Sequence, residues 1–561
     1  MNNCISFLVQ YPEYLSLAES FDPSSAIFQI GDQLAVILYC DSRSYESEGE
    51  NLPYSAVPKC FGLTDTAHLT EMGIFQVENL PGFDLYGRGV LLGVVDTGIN
   101  YREEIFRSRD GSSRILSVWD QTAKADGEAE EMLPYVPFGR TYGRAELTAG
   151  TADTGDDIGH GTYLASVAAG NASGAYRGAA PECQIAAVRL QPAPEELKRY
   201  WRIGTDAPCY SEADILLGVQ YLVQLAELNG LPLVLLLGLG TNSGPHTGEG
   251  LFNEYLDRLS RQRGKAVILA AGNEANAGHH YQSRAQELRE DDAPEEVQFT
   301  VNGTRQMTAE LWGRVGDLYS IDLLSPGGSR LGRVPPVSEG SLTRNFLLEG
   351  TTVTVGYQAV ERRSGEEVIL LKFDGLTDGI WTLYVYPERL ISLRSQFHIW
   401  LPIRQFLQGE AYFLRPEPDI TVTEPGNANQ ALTFGAYDDL TEGILPESGR
   451  GFTRTNAVKP DLVAPGALIP GVTGLPELRE PVDEAGYVLR TGTSSAAACA
   501  AGAVVLLMEW GIVRGNRPFL SGTQIKALLI NGARRESSRV FPNRQWGYGE
   551  LDLYGALSEI R

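Results

Sequence analysis

Short apolar runs alternate with stretches of helical periodicity between residues 67 and 289. The runs predicted as strands are 90–96, 185–190, 231–240 and 266–273, and the clearest predicted helix is 213–228. Strands that alternate with helices predict a parallel sheet flanked by helices. The same pattern resumes over residues 416–561, so the sequence predicts one α/β domain built from two segments.

The pattern changes between residues 290 and 415. Short alternating runs, rich in β-branched and aromatic residues, are separated there by turns that contain Gly and Pro. Regularly spaced short strands of this kind predict a β-sandwich or jelly roll. We expect an inserted structural or docking domain, and no titratable cluster stands out in its sequence.

Residues 1–66 precede the α/β pattern and predict a small α+β domain. The predicted strands are 5–10, 26–30, 34–39 and 54–57, with a short helix over 13–21. The pair Gly31-Asp32 marks the turn of a hairpin between the second and third strands. From these residues alone, an unrelated binding module is the alternative interpretation.

Charge and cysteine usage narrow the possible partners. The chain has 561 residues and a formal net charge of −25, which repels phosphate backbones and argues against nucleic acid as a partner. Its six cysteines are scattered and form no CxxC pair, which argues against a zinc site and a disulfide framework. We therefore predict no metal and no cofactor.

The N-terminal residues and the apolar runs indicate where the protein is made and whether it crosses a membrane. The first residues contain no positive leader and no long apolar region, so we expect a protein made in the cytoplasm without a signal peptide. The longest apolar runs, 231–239 and 496–508, are shorter than a bilayer requires. No membrane span is predicted.

A Gly-Thr-Ser turn near the C-terminus opens directly into a run of small residues that ends in Val504, Val505 and Leu506. Residues that are small or apolar on every side predict a buried helix, with Ser494 at its start. The positive end of the helix dipole would favour negative charge beside this hydroxyl. A serine that merely caps a core helix is the alternative.

Two upstream segments favour a catalytic role for Ser494 over a role as a helix cap. Asp96 ends an apolar run, and His160 lies between glycines at the mouth of an Ala-rich helix. Ser494 needs a base to accept its proton, and His160 needs a carboxylate to hold its tautomer, which Asp96 can supply. The order Asp, His, Ser along the chain is the order found in subtilisin. The chain resembles the subtilisin-like serine proteases.

The resemblance implies further site residues. Asn273, in the segment Ala-Ala-Gly-Asn, corresponds to the oxyanion-hole residue, whereas without the resemblance it is an ordinary turn asparagine after Gly272. The substrate-flanking strands correspond to Leu237, Gly238, Leu239 and Gly240, together with Gly272. The family generally has a serine where Gly238 stands and a polar residue where Leu236 stands. We expect the glycine to remove a side chain from the substrate-facing wall.

Nearly the whole chain resembles the Csp germination proteases of spore-forming bacteria. The similarity rests on a short domain 1–66 without a signal sequence, the approach to Asp96, and the β-rich insertion after Asn273. It implies that residues 1–66 are a propeptide that the enzyme cleaves and keeps bound, and that the substrate is a cortex-lytic zymogen. It also implies a spore-associated protein. The alternatives are a pseudoprotease signalling scaffold and a general intracellular subtilase.

Overall fold

The computed structural model describes most of the chain. The described residues are 5–10, 26–30, 34–39, 56–63, 71–79, 83–124, 136–171, 177–284, 293–391, 395–475, 482 and 487–559. The predicted helix over 13–21 and the predicted hairpin turn at Gly31-Asp32 lie outside these residues.

A nine-stranded mixed sheet forms the centre of the chain. Its strands in spatial order are Gly443–Ile444, Leu432–Asp438, Lys265–Ala270, Leu233–Leu237, Leu91–Asp96, Gln184–Arg189, Ile115–Asp120 and Arg140–Gly143, with Leu462–Pro465 also paired to Leu432–Asp438. The inner pairs are parallel and the two edge pairs are antiparallel. The predicted α/β fold with a largely parallel sheet is confirmed.

Helices cover the sheet on both faces. Within the described residues the α-helices are Ile74–Asn79, Arg144–Ala149, His160–Ala169, Glu195–Trp201, Glu212–Leu228, Leu251–Arg261, Thr493–Met508, Gly522–Gly532 and Leu553–Ser558. Short 3-10 helices lie at Glu104–Phe106 and Arg404–Phe406. Thr493–Met508, called the central helix below, is buried at every residue. Its small and apolar side chains fill the main core between the sheet and the other helices.

The central helix continues through a π-helical turn, Glu509–Val513. By length and composition alone, Thr493–Val513 is the one helix in the described part of the chain that could cross a membrane, but 83% of its apolar window is buried inside the protein. The helix is longer than the run 496–508, from which no span was predicted. The core helix of a folded protein passes the same test, so this helix is weak evidence for a span.

Two antiparallel sheets occupy the interval between the two α/β segments; we call them the β unit. The six-stranded sheet contains His280–Gln282, His398–Trp400, Gln306–Trp312, Val368–Asp374, Thr351–Gln358 and Glu339–Phe346. The four-stranded sheet contains Leu318–Leu324, Gly379–Arg389, Glu295–Asn302 and Glu410–Phe413. Both contribute to one hydrophobic core. The jelly-roll assignment and the boundaries 290 and 415 stay predictions, although the first strand, His280–Gln282, precedes residue 290.

The β unit is packed firmly against the α/β domain. Trp312 and Trp400 of the β unit share a core with Leu197 and Trp201 of the α/β domain. The buried ion pair between Arg454 and Glu366, with nitrogen and oxygen 2.7 Å apart, also crosses this boundary. Contacts of this kind tie the β unit to the scaffold that carries the candidate site.

A three-stranded antiparallel sheet lies at the N-terminus, in the order Ile5–Gln10, Leu34–Tyr39, Ala26–Ile30. Its inner side chains pack with those of the helix Glu212–Leu228. The strand predicted at 54–57 is wrong for its described residues, since 56 and 57 are not in a strand; proline, which lacks a ladder N–H, follows at Pro58. The next strand is Cys60–Leu63.

Candidate active site

Asp96 lies at the carboxyl end of the central strand Leu91–Asp96 and is fully buried. Its Oδ1 accepts a hydrogen bond from the backbone N–H of Thr97 at 2.8 Å. The same oxygen lies 2.7 Å from Nδ1 of His160. A buried carboxylate in this position fixes the imidazole so that Nδ1 carries a proton and Nε2 points away from Asp96.

His160 is the first residue of the helix His160–Ala169, called the His160 helix. Its Nε2 lies 3.4 Å from Oγ of Ser494, so the three side chains form one line from carboxylate to hydroxyl. The next residue must be glycine, because a Cβ on Gly161 would lie 2.3 Å from the carbonyl oxygen of Gly98. The backbone at the start of the His160 helix therefore packs directly against Gly98, two residues after Asp96.

Asp156 holds the first turn of the His160 helix, a role that the sequence analysis missed. Its carboxylate accepts hydrogen bonds from the backbone N–H of Gly159 at 2.7 Å and from Thr162, through N–H at 2.9 Å and Oγ1 at 2.7 Å. An anion at a helix N-terminus satisfies free N–H groups and complements the dipole. The signal was available in the sequence, since an aspartate shortly before a helix is a capping pattern.

Ser494 is the second residue of the central helix. The turn before it depends on Gly492, whose φ of 149° lies in a region that favours glycine. The N–H of Gly492 donates to the carbonyl oxygen of Gly466 at 2.8 Å, so the segment 459–466 supports the turn that delivers the serine. Further along the helix, a Cβ on Gly502 would lie 2.8 Å from the carbonyl oxygen of Ala168, which explains the small residues there.

Asn273 is joined to the same turn. Its Oδ1 accepts from the backbone N–H of Thr493 at 3.0 Å, and Oγ1 of Thr493 accepts from the N–H of Gly272 at 2.9 Å. Because an N–H must face an acceptor, this contact assigns Oδ1 to the Thr493 side and leaves the Asn273 amide N–H group to face elsewhere. Asn273 is therefore bound to Thr493, the residue directly before Ser494.

The predicted substrate-flanking residues lie next to these groups. Leu237 and Leu239 are buried, and Gly238 separates the core strand from the short strand Leu239–Gly240. A Cβ on Gly238 would lie 2.6 Å from Cδ1 of Leu164, 3.1 Å from Cβ of Ser494 and 3.3 Å from Cε1 of His160. Leu164 therefore occupies part of the space that a side chain at position 238 would need.

Thr423 lies between the two other predicted glycines, and sequence reasoning did not find it. A Cβ on Gly240 or on Gly272 would come within 2.4 Å of Oγ1 of Thr423. A cavity of about 340 Å³ adjoins this point and is lined by Asn273, Gly240, Thr423, Glu274, Thr491 and Arg404, among others. Arg404 lies between the β-unit strands His398–Trp400 and Glu410–Phe413, far along the chain from Asn273, which explains why local motifs did not reveal this wall.

The strand Cys60–Leu63 lies between two strands of the α/β domain. Leu63 pairs with Leu239 and Gly62 with Gly240, while Cys60 and Phe61 pair with the strand Tyr210–Ser211. Just before it, Lys59 is bound at both backbone groups: its N–H donates to Oε2 of Glu212 at 3.1 Å, and its C=O accepts from the N–H of Glu212 at 2.9 Å. The segment Cys60–Leu63 of the chain itself is therefore paired with the short strand Leu239–Gly240, which directly follows Gly238.

Three buried histidines meet around Trp400. The ring of Trp400 stacks on His246 and His280, with centroids 4.1 and 4.7 Å away, and Nε2 of His280 lies 3.0 Å from Nδ1 of His398. Burial lowers the pKa of His246 to about 4 and that of His280 to about 3. Only His398 belongs to the inserted segment 290–415, and strand pairing brings it to histidines outside that segment. Within the described residues, no group of three or more His, Cys, Asp or Glu is placed to hold a metal.

The subtilase family model matches residues 87–360 and 415–549 of the chain. The chain belongs to the subtilase family, the class of subtilisin-like serine peptidases. It is similar to the CspB protease of Clostridium perfringens, with 26% identity, a TM-score of 0.72, and coverage of 87% of this chain and 98% of that one. It is also similar to the subtilisin-like protease SBT1.9 of Arabidopsis thaliana, 24% identical over 497 residues. That match covers 81% of this chain and 60% of the plant protein's length.

Proposed function

We propose that the chain is a serine endopeptidase that hydrolyses peptide bonds through Asp96, His160 and Ser494. The observation that carries the proposal is the continuous line of contacts from Asp96 Oδ1 to His160 Nδ1, and from His160 Nε2 to Ser494 Oγ, at 2.7 and 3.4 Å. All three groups are buried at the ends of the elements that deliver them. Each is the residue type that acyl transfer by a serine requires.

The proton path follows from this geometry. His160 accepts the proton of Ser494 as the hydroxyl oxygen attacks a peptide carbonyl, and it then protonates the departing amine. Asp96 holds the ring and stabilises its charged form. The contact between Ser494 and His160 is longer than a strong hydrogen bond, and such contacts commonly tighten only when substrate is bound.

The developing oxyanion is held by the Asn273 amide together with the backbone N–H of Ser494. Binding of Oδ1 to Thr493 fixes the amide before any substrate arrives. A donor that is already oriented need not reorganise as charge develops, which is why such groups contribute strongly to the rate.

We further propose that residues 1–66 are a propeptide that this site cleaves. Substrates of such a site bind by adding a strand to an exposed edge, and Cys60–Leu63 already pairs with the edge strand Leu239–Gly240. Leu63 lies opposite Leu239, the neighbour of Gly238, and a Cβ on Gly238 would lie 3.1 Å from Cβ of Ser494. We place the single cut between residues 60 and 69, of which 64–69 lie outside the described residues. The attached segment has a high effective concentration, so even a poor sequence is cut once.

The resemblance to the Csp germination proteases supports a specific physiological substrate. We propose that the cleaved propeptide stays bound and that the enzyme activates the zymogen of a cortex-lytic enzyme in the spore. To test this role, the purified chain is incubated with such a zymogen. The Ser494→Ala variant of the chain, incubated with the same zymogen, is the control. Failure to cut the zymogen, in a preparation that reacts with a serine-directed probe, would favour a general subtilase over a germination enzyme.

Labelling with a fluorophosphonate probe tests the activity itself. We expect covalent labelling of the wild-type chain and none of the Ser494→Ala variant. Ser495→Ala is the matched control, because Ser495 is the adjacent residue, is equally buried, and has an Oγ without a hydrogen-bond partner among the described residues. Unlabelled wild type would support the pseudoprotease scaffold instead.

A further inference from the structure

A second cavity, of about 420 Å³, lies away from the candidate active site. Its lining includes Arg114 and Gln184, where the parallel strands Ile115–Asp120 and Gln184–Arg189 begin. Asp96 pairs with the other end of the second strand, at Arg189. Five steps of a parallel strand separate the two ends by roughly 16 Å. The cavity therefore lies at the amino ends of the parallel strands, whereas the triad lies at their carboxyl ends.

Four arginines line this cavity, Arg88, Arg109, Arg114 and Arg144, and Glu182 is the one carboxylate among its lining residues in the described part of the chain. Glu182 is already paired, because its Oε2 lies 2.5 Å from Nε of Arg88. The other three arginines form no ion pair with any described residue. On a chain with a net charge of −25, a concave surface with this excess of positive charge is unusual.

Arg114 forms the buried part of the site and is only 6% exposed. Its terminal nitrogens donate to the carbonyl oxygens of Cys183 at 3.1 Å, and of Ile105 and Ala169 at 2.6 Å each. Its Nε is buried and has no hydrogen-bond partner among the described residues. These carbonyls satisfy donors but carry no formal charge, and a buried charge without a counterion is costly. Burial accordingly lowers the pKa of Arg114.

Two arginines lie at the mouth. Arg109 and Arg144 are exposed, and Arg144 contacts only a neutral group, Oε1 of Gln184, at 2.8 Å. Hydroxyl and amide groups of Ser108 and Asn171 complete this part of the wall. Two exposed guanidinium groups near a buried one form an arrangement suited to planar or tetrahedral oxyanions, which arginine binds through paired N–H donors.

We propose that this cavity is a binding site for a small multivalent oxyanion, a phosphate or a polycarboxylate. Arg109 and Arg144 contact the anion directly from the mouth. Arg114 supplies positive charge from the floor of the cavity. The anion supplies negative charge to these three guanidinium groups, none of which forms an ion pair with a described residue, although Glu182 lies close enough to act on Arg114. The site is independent of the peptidase reaction and of the propeptide.

Titration of the full chain with inorganic phosphate and, separately, with citrate tests the proposal. Ionic strength is held constant with sodium chloride, and binding is followed by calorimetry and by the thermal unfolding midpoint. We expect saturable binding of at least one of the two anions. The variant Arg109→Gln, Arg144→Gln should bind about 10-fold or more weakly, since each lost charge-assisted contact weakens binding substantially.

The matched control is Arg305→Gln, Arg344→Gln, which removes the same charge from exposed positions in the β unit. We expect it to bind like the wild type. A response to phosphate alone assigns the site to phosphates, and a response to citrate alone assigns it to carboxylates. The proposal is overturned if neither anion binds at concentrations up to ~10 mM, which corresponds to very weak binding. It is also overturned if the two double variants lose binding equally.

Discussion

The parallel sheet and the β unit bury their side chains in different patterns. Every residue of Leu233–Leu237 is buried, whereas Thr351–Gln358 alternates between buried and half-buried positions. Glu339–Phe346, at the edge of the β unit, is largely exposed. Helices on both faces of the parallel sheet leave no solvated side, and the antiparallel sheets share only their inner faces. Chemistry in the first region is therefore confined to the ends of strands and helices.

The two regions also depend on residues of different size. The candidate site is assembled by glycines, such as Gly161 against Gly98 and Gly502 against the His160 helix. The β unit depends on large rings, and Trp381 meets Phe346 and Phe373 edge-on at 5.5 and 5.9 Å. We therefore expect changes at the site to alter the rate with little loss of stability, and changes in the β-unit core to do the reverse.

The largest expected effect is that of His160→Ala. Peptide hydrolysis should fall by about 10⁶ in turnover, the size that loss of the histidine has in subtilisin, a member of the same family. The thermal unfolding midpoint should stay within a few degrees, since the change removes one polar side chain at the start of a helix rather than part of the apolar core. Steady-state kinetics measure the turnover, and a thermal melt measures the unfolding midpoint. A loss below 10-fold would remove His160 from the mechanism.

Trp381→Ala should give the opposite result. The side chain is fully buried in the core shared by the two sheets, so its removal should lower the free energy of unfolding by about 3–5 kcal/mol. Turnover at a temperature well below the midpoint should change only severalfold. Denaturant unfolding measures the loss, with Trp381→Phe as the milder control. Full stability with lost activity would reverse the comparison.

Asn273→Ala should lower turnover by about 10²–10³ while KM changes little, because the amide acts on charge that develops during the reaction. Asn276→Ala is the control, since Asn276 lines the same cavity and is exposed. Equal kinetics in the two variants would mean that the Asn273 amide does not hold the oxyanion.

A smaller effect concerns pH and the β unit. Glu367 is fully buried, and burial raises the pKa of its carboxyl from 4.5 to about 8. Between these values the folded protein holds a proton that the unfolded chain has lost, so this group stabilises the fold at low pH and less as pH rises through about 8. Glu367→Gln should flatten that decline in thermal melts at several pH values. Glu339→Gln, on the exposed strand, should leave it unchanged.

Much of the candidate site could be predicted from the sequence because its parts are local. Asp96 ends an apolar run, whereas His160 and Ser494 lie at the start of helices of small and apolar residues, and the motif around each one specifies a tight turn. Asp156 was available as a capping pattern and was missed. Thr423 was not available, since its position between two glycines depends on strands far apart in the chain.

The same reasoning explains which elements of the fold were missed. Glu339–Phe346 lies on an exposed edge and lacks the apolar alternation that reveals a strand. Cys60–Leu63 is a strand because two partners far along the chain bind it, not because of its own four residues. Contacts across the boundary of the β unit, such as the histidine stack around Trp400, depend on the tertiary arrangement as well.

The intact mass of the wild-type chain and of Ser494→Ala, expressed side by side, shows whether Ser494 cuts its own chain. We expect the wild type to consist of two fragments from a single cut between residues 60 and 69, which stay together in gel filtration, and the variant to be one whole chain. An uncut wild type would contradict the claim that the site is active on its own bound strand. Equal cutting of both chains would assign the cut to another protease.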